Sequence, residues 1–135
     1  MTAGYSGTPL ARKLSLKPGQ RVWLEGVPDS VRTEIAAEEL ALDLLRQPEA
    51  PIDAAHVFVT SRAALEEAIS RLRPLLAPAG FLWISWPKKA SKVPTDVTED
   101  VVRDVALPTG LVDVKVCAID ATWSGLKLMI RREFR

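Results

Sequence analysis

Three short runs carry the residues whose types and spacing could do chemistry. Asp120-Ala121-Thr122-Trp123-Ser124-Gly125 puts a carboxylate, two hydroxyls and an indole within one turn, a set that could orient a polar ligand against an aromatic face. The plainer alternative is a hairpin in which Asp120 or Thr122 bonds its own backbone and Trp123 packs on a sheet. Trp86-Pro87-Lys88-Lys89 offers two ammonium groups at the end of an apolar run. They would suit a phosphate or carboxylate, more so if a helix start near Asp96 or Thr98 turns its amides the same way. Ser91 and Lys92 extend this loop, which reads equally as solvated basic surface. Gly4-Tyr5-Ser6-Gly7-Thr8 has the small residues of an anion-cradling loop before a helix, with Ser6, Gly7 and Thr8 as donors, but lacks the Gly-Lys-Ser/Thr end of a P-loop. An arm ordered on the body of the protein or on a partner accounts for the same residues.

Counting excludes other chemistries. His56 is the only histidine and heads an apolar run, which favours a core or edge role over a Ser-His-Asp hydrolase. Cys117, the only cysteine, has no partner for an intramolecular disulfide and no base or metal ligand near it in sequence, so it reads as a packed thiol in a reducing compartment. No zinc cluster can be assembled, and the expectation is no metal site. Asp96, Glu99, Asp100 and Asp104 are explained by helix capping and solvation. Eighteen Lys and Arg against seventeen Asp and Glu leave a net charge of +1. Neither nucleic acid nor an anionic membrane is recruited by such a global field, and any polyanion site must be local. No apolar stretch approaches the ~20 residues of a membrane helix, and residues 1–13 lack the apolar core of a secretion signal, so a cytoplasmic protein is expected.

The elements that must position these residues follow from periodicity and punctuation. With 135 residues, 47% hydrophobic and 26% charged, the chain suits one globular domain, folding alone or as a homo-oligomer. Residues 1–16 read as an arm with a short helix at 9–14, capped by Thr8, and residues 17–135 as a single domain. Lys17-Pro18-Gly19 is a turn before a first strand at 21–25, closed by Gly26 and Pro28. Val31, Ile35, Ala36 and Leu40 have helical spacing, after which 41–45 is assigned to a short strand, although helix also fits. A buried strand at 54–59 leads to Ser61, a suitable helix cap. Leu65, Ala68, Ile69, Leu72 and Leu76 form one apolar helix face, with Pro74 bending the helix and Pro78 and Gly80 ending it. The run 81–86 is apolar throughout, as in a central strand covered on both sides. Asp96-Val97-Thr98-Glu99 has capping-box spacing and predicts a helix to about Ala106, with Val97, Val101, Val102 and Val105 inward. Strands at 111–119 and 126–132 pair antiparallel.

Strands alternating with helices and then an antiparallel pair predict an α/β, Rossmann-like sheet, mostly parallel, with helices on both faces. Ligands in such sheets lie outside the carboxyl ends of the parallel strands. That rule gathers Gly26, Ser61, Trp86, Lys88, Lys89, Asp120, Thr122, Trp123 and Ser124 as ligand-binding candidates.

Two resemblances add to this reading. Residues 17–26 (KPGQRVWLEG) and 75–86 (LLAPAGFLWISW) resemble the first sheet unit and the later helix, turn and strand of class I methyltransferases. A truncated fold of that type, with S-adenosylmethionine as cofactor, is what this resemblance implies. Such enzymes follow the first strand with a glycine-rich loop, where this chain has Glu25-Gly26-Val27-Pro28-Asp29, and hold the donor ribose with an acid after the second strand, where Asp43 sits in an ambiguous segment. Gly4 to Leu10 (GYSGTPL), Trp86 to Ser91 (WPKKAS), Pro94-Thr95-Asp96, and VCAID with TWSG at 116–125 resemble a family of small bacterial proteins classed as a domain of unknown function; that resemblance implies no activity, cofactor or catalytic residue. Lacking a convincing nucleophile and base pair, the chain reads first as a non-catalytic or regulatory module for a small anionic or nucleotide-like ligand. The alternatives are a methyltransferase-like enzyme with an atypical first loop, in which Asp120, Trp123 and Lys88 orient substrate, and a protein interaction partner using the N-terminal arm and an exposed tryptophan.

Overall fold

In the computed structural model, which describes residues 8–135, every apolar run identified above becomes a strand of one sheet. The strands are β1 (Arg21–Glu25), β2 (Asp43–Leu44), β3 (Ile52–Phe58), β4 (Leu76–Pro87), β5 (Leu111–Ala118) and β6 (Trp123–Ile130), in the order β2-β1-β3-β4-β6-β5. The first four run parallel, and the last two add an antiparallel hairpin beside β4. Helices α1 (Leu10–Lys13) and α2 (Asp29–Ala36) pack on one face, and α3 (Arg62–Leu72) and α4 (Glu99–Ala106) on the other. Among the described residues no helix is long and apolar enough to cross a membrane.

Strand β4 holds these layers together because its alternating side chains feed two cores. Leu82, Ile84 and Trp86 meet Leu65, Ile69 and Leu72 of α3 and Val102 of α4, while Phe81 and Trp83 meet Leu10 and Leu14 of α1 and Val31 and Ile35 of α2. Trp83 is 1% exposed, and its indole Nε1 donates to the Leu14 carbonyl at 2.9 Å. That bond satisfies the indole and one orphan carbonyl at the end of α1 together. Burial raises the pKa of the half-buried Cys117 thiol, against the nearby charges of Lys13 and Lys115.

Local details depart from expectation for identifiable reasons. Helix α3 stops at Leu72 rather than running on to Pro78, because Pro74 falls in a 3-10 turn at Arg73–Leu75 and lacks the N–H that another α turn requires. Pro78 and Gly80 then lie inside β4, in an irregularity where Ile52 pairs with Leu76 and Ala54 with Phe81. Asp96 does not cap α4. Its Oδ1 accepts from the Arg62 amide at the start of α3 (2.7 Å), and Thr98 caps α4 through the Val101 amide (3.2 Å). Pro9, not Thr8, is the N-cap residue of the four-residue α1. The last strand begins at Trp123, three residues before the expected start, because Asp120 closes the preceding turn.

One polar pair lies within the sheet. His56 of β3 and Ser85 of β4 are both buried, with Nε2 and Oγ 2.7 Å apart, and His56 Nδ1 has no protein partner. A void of about 10 Å³ alongside has room for roughly one water. Burial pushes the His56 pKa down to about 3 from an unfolded value of 6.5.

Two outcomes follow. Gly80→Ala would place a Cβ 2.6 Å from the Ile52 carbonyl oxygen and should lower urea-unfolding stability by about 2 kcal/mol. Because the folded state keeps His56 neutral while the unfolded state protonates, the stability tied to this residue is complete above pH 6.5 and is lost as pH falls toward 3. The unfolding free energy from urea titration should therefore decline by about 2–3 kcal/mol between pH 7 and 4.5, with no His56 imidazole titration by NMR in that range. A normally titrating imidazole would refute this.

Candidate functional site

The carboxyl ends of β1, β3 and β4 and the β5–β6 turn meet at one edge of the sheet, where Pro87 pairs with Trp123. Between β1 and β3 the chain diverges, α2 to one face and α3 to the other. This is the switch point at which ligands of open α/β sheets lie.

Protein fills much of that point. Gly26 adopts φ +67, and a Cβ there would stand 3.1 Å from the Phe58 carbonyl oxygen, so glycine permits both the turn and the close approach of the two strand ends. Val27 behind it is 8% exposed and belongs to the second core, and Pro28 caps α2 without an N–H to offer a ligand. The Phe58 ring meets Trp123 edge-on with centroids 4.9 Å apart and lies 4.6 Å from the His56 ring. Trp123 is half-buried in this stack. Glu25, at the end of β1, accepts from Arg71 at 2.9 and 2.7 Å and from the Trp23 indole at 2.9 Å. The bonds to Arg71 hold its carboxyl below the usual range, against partial burial.

Four predicted site residues, Lys88, Asp120, Thr122 and Trp123, come together, and they engage one another. The Lys88 amide donates to the Thr122 carbonyl and its Nζ to the Asp120 carbonyl, both at 2.7 Å. Asp120 Oδ1 accepts from the Thr122 and Trp123 amides, both at 2.8 Å. Ser91 Oγ donates to the Lys88 carbonyl at 2.6 Å, and Lys89 and Lys92 are exposed. The other candidates stand apart. Trp86 packs into the core of α3 and α4, on the opposite sheet face from Trp123, and Ser124 sits in β6 opposite Trp86 and Ala118. Ser61 Oγ caps α3 by accepting from the Ala64 amide at 3.1 Å. Thr8 precedes α1, while Ser6 and Gly7 lie outside the described residues.

Sequence reasoning missed a groove beside β1. Strand β2 pairs only through Asp43 and Leu44, and past it lies a groove of about 210 Å³ lined by Trp23, Leu24, Leu45, Arg32 of α2 and Arg46. Asp43 faces Arg21 at the amino end of the sheet, 3.6 Å from its Nη1. The charged residue that follows β2 toward the ligand edge is therefore Arg46. Neither arginine belongs to a motif, and lone arginines read as ordinary surface, so no sequence signal marked them. Among the described residues no group of three His, Cys, Asp or Glu side chains could hold a metal ion.

These details test the fit of a methyl donor. A buried Val27, a capping Pro28 and a basic residue past β2 do not match the glycine-rich loop and ribose-binding acid that the usual pose requires.

No family model matches the chain, and no curated protein matches it. Solved structures do. A SAM-dependent methyltransferase from Aquifex aeolicus superposes with a TM-score of 0.64 at 16% identity, over 90% of this chain and 88% of that one. A putative type 11 methyltransferase from Sulfolobus solfataricus gives 0.57 at 16% identity over 90% and 89%. Ribosomal protein L11 methylase from Lactobacillus delbrueckii subsp. bulgaricus gives 0.57 at 14% identity over 91% and 76%. Identities this low establish architecture alone: the chain has a methyltransferase-like Rossmann fold.

Proposed function

We propose that this protein binds a small anionic, nucleotide-like ligand at the carboxyl edge of a methyltransferase-like sheet without transferring a methyl group. The observation that carries this reading is the pair Arg32 and Arg46 on the groove beside β1. Two guanidinium groups suit phosphate or carboxylate oxygens, which they bind through paired donors. The neutral diol of a donor ribose would leave those charges unanswered. Among the described residues no nucleophile and base converge there to support catalysis: Glu25 is committed to Arg71, and the His56–Ser85 pair is buried within the sheet.

A methyl-donor site in an unusual pose is the second reading, and the superpositions on methyltransferases favour it at the level of fold. Thermal unfolding separates the two. Nucleoside mono- and triphosphates should raise the midpoint by several degrees, since ligand at a hundredfold over Kd adds about 2.7 kcal/mol, and Arg46→Glu should abolish the shift. A shift with S-adenosylmethionine or its demethylated product alone, untouched by Arg46→Glu, would replace this proposal with the second reading.

A further inference from the structure

A separate concentration of positive charge lies where the segment between α1 and β1 crosses the terminal hairpin. Lys115 of β5 and Lys127 of β6 are direct cross-strand partners. Like charges in that relation destabilise a sheet. The pairing register shifts between Asp113 and Lys115, so Val114 is an extra residue in β5. Without this bulge, strict alternation would turn Lys115 to the other face; with it, Lys115 shares a face with Lys127, Phe81 and Trp83. Lys115 Nζ stands 5.9 Å from the Trp83 ring centroid and Lys127 Nζ 4.4 Å from that of Phe81.

The rest of the setting is equally specific. Lys127 Nζ donates to Ser15 Oγ at 3.1 Å, and Ser15 holds a left-handed backbone, φ 63, that costs a non-glycine residue energy. Burial first, and then the charges of Lys115 and Lys17, hold the Lys127 pKa below the ordinary lysine value. Among the described residues none of Lys17, Lys115 and Lys127 forms an ion pair with a carboxylate, and residues 1–7 contain no acid. A cavity of about 320 Å³ beside Ser15 and Lys17 also exposes Arg12, with Glu38 as its one carboxylate.

We propose that Lys17, Lys115 and Lys127, arranged around Ser15, form a binding site for the phosphate oxyanion, carried either by a free polyphosphate or by a phosphodiester chain. Three compact ammonium charges converging without counter-charge match a group that concentrates two or more negative charges. The bulge and the strained serine are what bring them into register. This site shares no residue with the groove at Arg32 and Arg46, and the two proposals stand or fall separately.

Titration with inorganic pyrophosphate at a constant ionic strength of about 150 mM, followed by amide NMR, tests the site. Saturable shifts are expected at Ser15, Lys115 and Lys127. The double variant Lys115→Gln, Lys127→Gln should bind about tenfold more weakly or worse, while unfolding at a higher temperature than the parent without ligand, because the cross-strand repulsion is gone. Arg46→Glu should leave pyrophosphate binding here unchanged. Displacement by a short single-stranded oligonucleotide would assign the site to phosphodiesters, and its failure to compete would assign it to free anions. Non-saturating shifts that extend equally to Lys89 and Lys92 would overturn the proposal as screening only. So would undiminished binding by the double variant, or a lower midpoint for it without ligand, which would make the lysines structural.

Discussion

Strand β4 has no solvent face along Phe81 to Pro87, and that constraint organises the molecule. A strand buried on both sides needs hydrogen-bonded neighbours along both edges and apolar cover above and below. Its neighbours β3 and β6 provide the first, and the two helix pairs provide the second. The cover over Trp83 is thin, because α1 has only four residues, and the indole bond to the Leu14 carbonyl ties that short helix to the sheet. Even the polar atoms admitted to this interior, His56 Nε2 and Ser85 Oγ, are spent on each other.

The same economy shapes the edge where a ligand would be sought. Residues that could have faced outward are used to close the structure: Lys88 and Asp120 lock the β4 end onto the hairpin, Ser61 and Asp96 complete the start of α3, and the Phe58 ring packs against both Trp123 and His56. Side chains at sheet ends and helix starts answer the backbone groups those elements leave unpaired. What remains open is the flank of β1, where β2 ends after two residues. The architecture is methyltransferase-like, and the residues at its switch point are engaged in packing.

Charge is distributed in the same uneven way. Arg71 is committed to Glu25 and Glu67, and Arg103 joins α4 to β5 through Asp113 at 2.9 Å. These planar, multiply donating groups serve as struts. The lysines of the hairpin, and Arg32 and Arg46, lack such partners among the described ion pairs. A net charge of +1 averages over both populations and conceals the difference.

Much of the fold was legible in the chain because its cues are local. Apolar runs at 54–59 and 81–86 marked buried strands, the spacing of Leu65, Ala68, Ile69 and Leu72 marked α3, and Ser61 marked its start. Misreadings arose where a local cue had a distant use. Asp96 has capping-box spacing for α4, yet its carboxylate reaches the first amide of α3, and Gly80 resembles a helix stop but sits where the Ile52 carbonyl leaves no space for a Cβ. Sequence alone determined the alternation of strands and helices and the closing antiparallel pair, since periodicity and turn chemistry act over a few residues. Tertiary structure alone decided that Lys88 and Asp120 bind each other, that Arg32 and Arg46 line one groove, and that a single bulged residue sets Lys115 opposite Lys127. Each depends on side chains far apart in sequence being brought to one place, and that placement is fixed only when the sheet closes its register.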